Sequence, residues 1–346
     1  MSGDGEADRE GPESSNGPDP VTGRRSWRAR RIEKRSALAP REKRGRAKAP
    51  PPGAIGPYPS VALALGAGGA RGLAHIVLLE ALDELGIRPT AIAGCSMGAI
   101  VGGAYCAGLP ARALRRHAIA TMTDRARVMA RLLEARVGRF VDMFNGLGNP
   151  FLLDGERVLD AFWPRDLPER IEDLAIPLEV VTTDFFARSE MVFREGSLAS
   201  AVAGSMAIPG LFKPVVYEGR TLIDGGSVNP LPFDLLVGKA DIVIAVDVAA
   251  GPEPDPDRLP GGLDVTLGAI QIMQEALVRA KLKLVAPQLL LRPPVTPFRV
   301  LDFLETEAIF AAVEPMKDDL KRGLEALIAA AEAKAALAAG SDVGDG

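Results

Sequence analysis

The chain has 346 residues, 47% hydrophobic and 25% charged, with only two cysteines and two histidines. That balance fits a globular protein whose core needs no staples. It excludes a disulfide framework, a four-cysteine zinc site and a histidine-rich metal centre. The net charge of −4 is uneven: residues 24–48 hold twelve Lys/Arg against Glu33 and Glu42, a local +10, while residues 49–346 sum to −9.

Residues 1–56 are rich in Pro, Gly, Ser, Arg and Glu and nearly without apolar periodicity. Such a segment buries too little surface to offset the entropy of ordering, so a disordered arm is expected. Its basic run, 24–48, reads either as a solvated linker or as a segment that meets anionic surfaces. The first 20 residues carry no apolar stretch, which argues against a secretory signal. Order begins at Val61. The run 61–66 (VALALG) reads as a buried strand, and Leu73, Ile76, Val77, Leu79 and Leu82 mark a helix over 71–86. Residues 89–111 are uncharged over a length that spans a bilayer. They also hold Pro89, Pro110 and five glycines, so a buried strand, a sharp turn and a close-packed helix over 97–107 explain them better. Residues 111–136 read as one Arg-rich amphipathic helix, and 155–163 as a short one. Strands are expected at 177–183, 190–193 and 215–223, the last broken by a turn at Glu218-Gly219. DIVIAVDV (241–248) reads as a buried strand and the Pro-rich 251–262 as a linker loop. Residues 263–339 are mainly helical around a strand-like 288–291, before a polar, disordered tail at 340–346. Strands alternating with helices mean an α/β fold, with helices on both faces of a largely parallel sheet.

Three motifs carry chemistry. Gly94-Cys95-Ser96-Met97-Gly98 is a G-x-S-x-G between a short strand and a small-residue helix. That is the setting of a nucleophile elbow, whose tight turn pushes the serine hydroxyl outward and leaves no room for a Cβ at either glycine. The alternative is a glycine-rich helix start capped by Ser96. Gly68-Gly69-Ala70-Arg71-Gly72 sits at a strand-to-helix junction, where backbone N–H groups converge. A phosphate-binding P-loop fails because no Lys-Ser/Thr follows, and a dinucleotide fingerprint fails because Ala67 stands at its first glycine. An oxyanion hole fits best, with a serine in the next β-α unit. The third motif, Asp224-Gly225-Gly226, ends the apolar Leu222-Ile223. His75 lies on the core side of its helix and His117 on a solvated, Arg-rich one, so a carboxylate acting directly on Ser96 is the simpler base. Asp184 and Asp247 also end apolar strands, but Asp224 alone is followed by two glycines, which let the chain turn away.

Together, GAGGARGLAH (66–75), GCSMGA (94–99) and IDGGSVNPLP (223–232), with residues 193–215 and DIVIAVDV, resemble the patatin-like phospholipases. The likeness is closest to the bacterial branch related to the neuropathy-target-esterase catalytic domain, and it covers about 60–250. It implies a three-layer α/β/α sandwich, with a catalytic domain over 57–250 and the helical 263–339 packed on it. It implies hydrolysis of fatty-acyl esters of (lyso)phospholipids or related lipids through an acyl-enzyme. Carried over, Ser96 is the nucleophile and Asp224 the general base. Gly68 and Gly69, with the Met97 N–H, form the oxyanion hole. Arg71 steadies the loop or meets a lipid phosphate, while Gly72, Gly94, Gly98, Gly225 and Gly226 support the turns. The departure is Ala67, where the family's loop commonly has another glycine. No metal or organic cofactor is implied and no nucleic acid is expected. The partners are a lipid ester and, through 24–48, an anionic membrane, which places the chain in the cytoplasm or at the inner membrane face. Acyl transfer from the same acyl-enzyme, or lipid binding without catalysis, are the alternatives.

Overall fold

Strands buried on both faces need apolar side chains at every position, and β1 (Val61–Leu65) has them. The computed structural model describes residues 59–136, 152–254 and 259–341, with side chains up to 333. The expected arm at 1–56 and residues 342–346 lie outside this range. β1 pairs in parallel with β2 (Ala91–Cys95) on one side and β7 (Ile242–Val246) on the other. β3 (Leu178–Asp184) extends the parallel sheet beyond β2, and β8 (Leu289–Leu291) extends it beyond β7. The edge past β3 is antiparallel, built from β4 (Ser189–Phe193), β5 (Val215–Tyr217) and β6 (Arg220–Asp224). Among the described residues the sheet has eight strands.

The period-two alternation of β1 sorts its side chains into two cores. Val61, Leu63 and Leu65 join the large one, under α1 (Ala74–Glu84), α2 (Met97–Cys106), α3 (Ala111–Met122) and α5 (Gly155–Phe162). The same core takes in α6 (Leu198–Ser205), α8 (Thr306–Val313) and α9 (Met316–Ser341). Ala62 and Ala64 face the opposite side with Ala93, Val243 and Ala245. Their small side chains let the long α7 (Gly262–Leu282) and the turn at Phe233–Leu235 pack close to the sheet. The result is the expected three-layer α/β/α sandwich, with a thick layer on one face and a thin one on the other.

Several elements differ from the sequence reading. The helix expected over 111–136 is two helices, α3 and α4 (Arg125–Glu134). Asp124 breaks them apart: its backbone is extended and its carboxylate accepts from the Arg127 N–H at 3.0 Å, the competition with helix that makes Asp a cap. The reading has no helix at 198–205, yet α6 forms there behind a Ser197 cap. Its sequence, LASAVAGS, carries no polar face, because the helix is buried. α9 runs to Ser341, past the start of the expected tail at 340. The turn at Glu218-Gly219 is as expected, with both residues left-handed (φ 49° and 79°), the form that closes a two-residue hairpin. The uncharged span 89–111 is β2, a turn and α2, and no helix among the described residues is long and apolar enough to cross a membrane.

β3 is longer than β2, and this positions the site. Its first half pairs with β2, Cys95 lying opposite Val181. Its second half pairs with β6, Asp224 lying opposite Thr182. β4 holds the other edge of β3 across both halves, so β2 and β6 share one edge and meet end to end. The carboxyl ends of β2 and β6 therefore stand at adjacent register positions.

Candidate active site

Ser96 follows β2 directly and caps α2 with φ 53° and ψ −118°. Such a backbone costs an L-residue about 1–3 kcal/mol, and surrounding packing has to hold it. The two motif glycines supply that packing. A Cβ on Gly98 would overlap the Leu65 carbonyl of β1, and one on Gly94 would sit 2.7 Å from Gly98 O. On the far side, the Ser96 N–H donates to Ser205 Oγ on α6 at 2.8 Å. The Ser96 carbonyl accepts from the Ala99 and Ile100 amides, so the helix begins at once. This is the strand–turn–helix of a nucleophile elbow, not a side-chain cap, since the Ser96 hydroxyl makes no capping bond.

Asp224 is buried at the end of β6, and its carboxylate accepts from the Gly226 N–H at 2.7 Å. Burial raises its pKa to about 6, and hydrogen bonds from the Ser96 hydroxyl and the Gly226 amide work against that rise. The carboxyl is therefore ionised at neutral pH, a form the Ser96 hydroxyl favours. The two glycines after it matter for space rather than for an unusual turn. A Cβ on Gly225 would overlap Val181 O and lie 3.0 Å from Cys95 Sγ, where β2 and β6 meet. The chain does turn away after Asp224, in a 3-10 turn over Gly225–Ser227, but neither glycine needs a positive φ for it.

The glycine loop borders the same cleft. The Ala67 and Ala70 amides donate to Pro230 O and Val300 O at 2.8 Å, whereas those of Gly68 and Gly69 meet no carbonyl among the described residues. Gly69 is left-handed (φ 56°), and a Cβ there would overlap Val300 O. Gly68 is equally tight, with Val248 Cγ2 2.7 Å from where a Cβ would stand. Arg71 is buried, and its guanidinium donates to Phe298 O and Ala250 O, tying two distant loops to this one. Burial lowers its pKa, partly offset by Asp302 and Glu253. The Met97 side chain packs where Gly72 lacks one, and Met97 is not among the residues lining the cleft.

Neither histidine lines the cleft with Ser96. His75 is fully buried with Nε2 2.9 Å from Gly66 O, and burial pushes its pKa down to about 4 despite that bond. It is a neutral brace under the glycine loop. His117 is half-buried, not solvated as its Arg-rich helix suggests, with Nε2 2.8 Å from Phe162 O. The other strand-end carboxylates have structural partners. Asp184 pairs with Arg220 at 2.7 Å and Asp247 with Arg292 at 3.1 Å.

Ser96, Asp224, Gly68, Gly69 and Arg71 line one cleft with residues the sequence does not single out. Ile208 and Pro209 come from the segment after α6, and Val300 from the loop after β8. Leu267, Ile270, Gln271 and Gln274 come from α7. The α7 sequence reads only as an apolar helix, so nothing in it marks a residue for the cleft.

Comparison with known proteins finds several similar chains. An uncharacterized NTE family protein of Mycobacterium bovis is 41% identical over 203 residues, covering 57% of this chain and 52% of its own. Patatin-like phospholipase domain-containing protein 6 of Homo sapiens is 30% identical over 276 residues, 72% of this chain and 19% of its own. The match thus spans about half the length of the mycobacterial relative and less of the human one. Among solved structures, VipD from Legionella pneumophila is similar over 79% of this chain and 67% of its own, at 16% identity and a TM-score of 0.43. The patatin-like phospholipase model matches residues 63–237, half of the chain and all three motifs, so the chain belongs to the patatin-like phospholipase family.

Proposed function

We propose that the chain hydrolyses fatty-acyl esters of lipids, with (lyso)phospholipids as the substrate class, through an acyl-enzyme on Ser96. One observation carries the reading: a buried carboxylate and a strained serine line one cleft, and neither histidine lines it with them. Asp224 takes the Ser96 proton as the hydroxyl oxygen attacks the ester carbon. The Gly68 and Gly69 amides stabilise the oxyanion, the role of N–H groups held in place before charge develops. The alcohol or lysolipid leaves with the proton from Asp224. Water then enters, and the same carboxylate drives hydrolysis of the acyl-Ser96 ester. The apolar Ile208, Leu267, Ile270 and Val300 suit an acyl chain. Arg71 acts as a staple between loops, since its hydrogen bonds go to backbone carbonyls. The catalytic unit is 57–250, completed by α7 and the loop after β8.

The test is labelling by a fluorophosphonate probe together with hydrolysis of a lipid panel. Wild type should label on Ser96 and release fatty acid. Ser96→Ala should fold, fail to label and lose hydrolysis by at least about a thousandfold, the scale of losing a nucleophile. A folded Ser96→Ala that keeps wild-type turnover would remove Ser96 from the mechanism.

A further inference from the structure

Gln274 sits nine-tenths buried on α7 and lines the catalytic cleft. Its side-chain amide makes no hydrogen bond to a protein group among the described residues, and it is not one of the buried polar atoms left without a partner, so it opens onto the cleft and its solvent. An amide open to the cleft is free to bond a molecule there. The position of the amide narrows which one. A Cβ placed on Gly226 would overlap Gln274 Nε2 and sit 2.8 Å from Asp224 Oδ1, so the amide fills the space that glycine leaves beside the base. That also explains the second glycine of the Asp-Gly-Gly motif, which no turn conformation requires. Behind the amide, α7 is anchored by Lys281, which donates to Asp234 Oδ1 at 2.6 Å, to Leu231 O at 3.2 Å and to Asn229 Oδ1. These partners lie just after the Asp224 turn, so Lys281 ties α7 to the segment that carries the base.

We infer that Gln274 holds the water that hydrolyses the acyl-enzyme. The inference rests on the reading of Ser96 and Asp224 above. In the second half-reaction a water must hydrogen-bond to Asp224 while its oxygen faces the acyl carbon on Ser96. A side-chain amide beside Asp224 supplies the second contact that fixes such a water. The water proton passes to Asp224 as the oxygen attacks the acyl carbon. The tetrahedral species then collapses, the bond from acyl carbon to Ser96 Oγ breaks, Oγ takes the proton from Asp224, and the fatty acid leaves. Acylation needs no water, so Gln274 acts in one half-reaction only and is a positioning residue for it.

Pre-steady-state hydrolysis of p-nitrophenyl butyrate separates the two halves. Gln274→Ala, and Gln274→Met as a variant of equal length, should each lower kcat by about tenfold or more. KM should fall in parallel, leaving kcat/KM within about twofold of wild type. A burst of p-nitrophenolate should appear, and intact-mass measurement should find a butyryl adduct accumulating on Ser96. A parallel fall of kcat and kcat/KM, or unchanged deacylation in either folded variant, overturns the inference. If wild type itself takes no fluorophosphonate on Ser96, both the inference and the reading beneath it fail.

Discussion

Burial raises the Asp224 carboxyl to about 6, and its bonds from Ser96 and Gly226 keep it from rising further. An unfolded carboxyl titrates near the ordinary 3.8, so between about pH 4 and pH 6 the folded chain holds a proton that the unfolded chain has lost. Stability from this group is present below pH 4 and is lost as pH rises through 6, where the buried charge costs about 3 kcal/mol. Asp224→Asn should therefore melt above wild type at pH 8, with the difference closing near pH 4. Its hydrolysis should be lost, and wild-type kcat/KM should fall tenfold per pH unit below about pH 6, where the base is protonated. Thermal melts across pH 4–8 and a pH–rate profile check both halves. His75 gives the opposite pattern. His75→Ala removes a fully buried brace and should cost about 2–4 kcal/mol of stability, while the folded fraction keeps hydrolysis within about tenfold. Loss of about a thousandfold in folded His75→Ala would restore a histidine to the mechanism. The glycine loop admits no such clean substitution. Gly69→Ala would set a side chain against Val300 O at a left-handed φ, so it disturbs the backbone as well as any oxyanion contact.

At the scale of elements, α9 is held to α1 by charge. Lys317 reaches Glu80 at 2.8 Å and Glu84 at 3.3 Å on α1, and Glu314 at 2.8 Å on its own side. Glu80 is almost wholly buried, and Arg115 from α3 supports it at 3.4 Å. Lys317→Met should leave Glu80 undercompensated and cost about 3 kcal/mol. Adding Glu80→Met should restore most of that loss, because an apolar pair has no charge to desolvate. Denaturant melts of both single variants and the double one measure the coupling. Element boundaries were legible where a local signal exists. β1, α2 and the Glu218-Gly219 hairpin follow from apolar runs, small residues and a turn pair. The break at Asp124 was missed because Arg-rich periodicity continues on both sides of it, and α6 because a buried helix lacks an amphipathic stripe. The ion pairs of α9 had no sequence signal, since charged side chains on a helix usually face solvent.

For the whole molecule, residues 24–48 carry +10 beside a body that sums to −9. We propose that this run, outside the described residues, brings the enzyme to anionic membranes. Each Lys/Arg near such a surface contributes about 1 kcal/mol, screened by salt. Deleting residues 1–50 should weaken co-sedimentation with anionic vesicles at low salt and leave hydrolysis of a soluble short-chain ester unchanged. Equal vesicle binding by both forms would make the run a linker.

The amino-acid sequence by itself determined the α/β architecture, the elbow serine, the glycine loop and the aspartate, because each depends on a local pattern: alternation of apolar runs, a turn with no room for a side chain, or glycines at a strand end. It could not bring Ser96 and Asp224 together. That depends on β3 being longer than β2 and passing its edge to β6, a pairing between segments far apart in the chain. Nor could it select Gln274, since which face of α7 lies over the cleft is decided by how the helix packs on the small residues of β1, β2 and β7. Local steric rules act over a few residues and leave their mark in composition and spacing. The shared edge and the covering helix arise only when distant segments compete for the same surface, and that competition is settled in three dimensions.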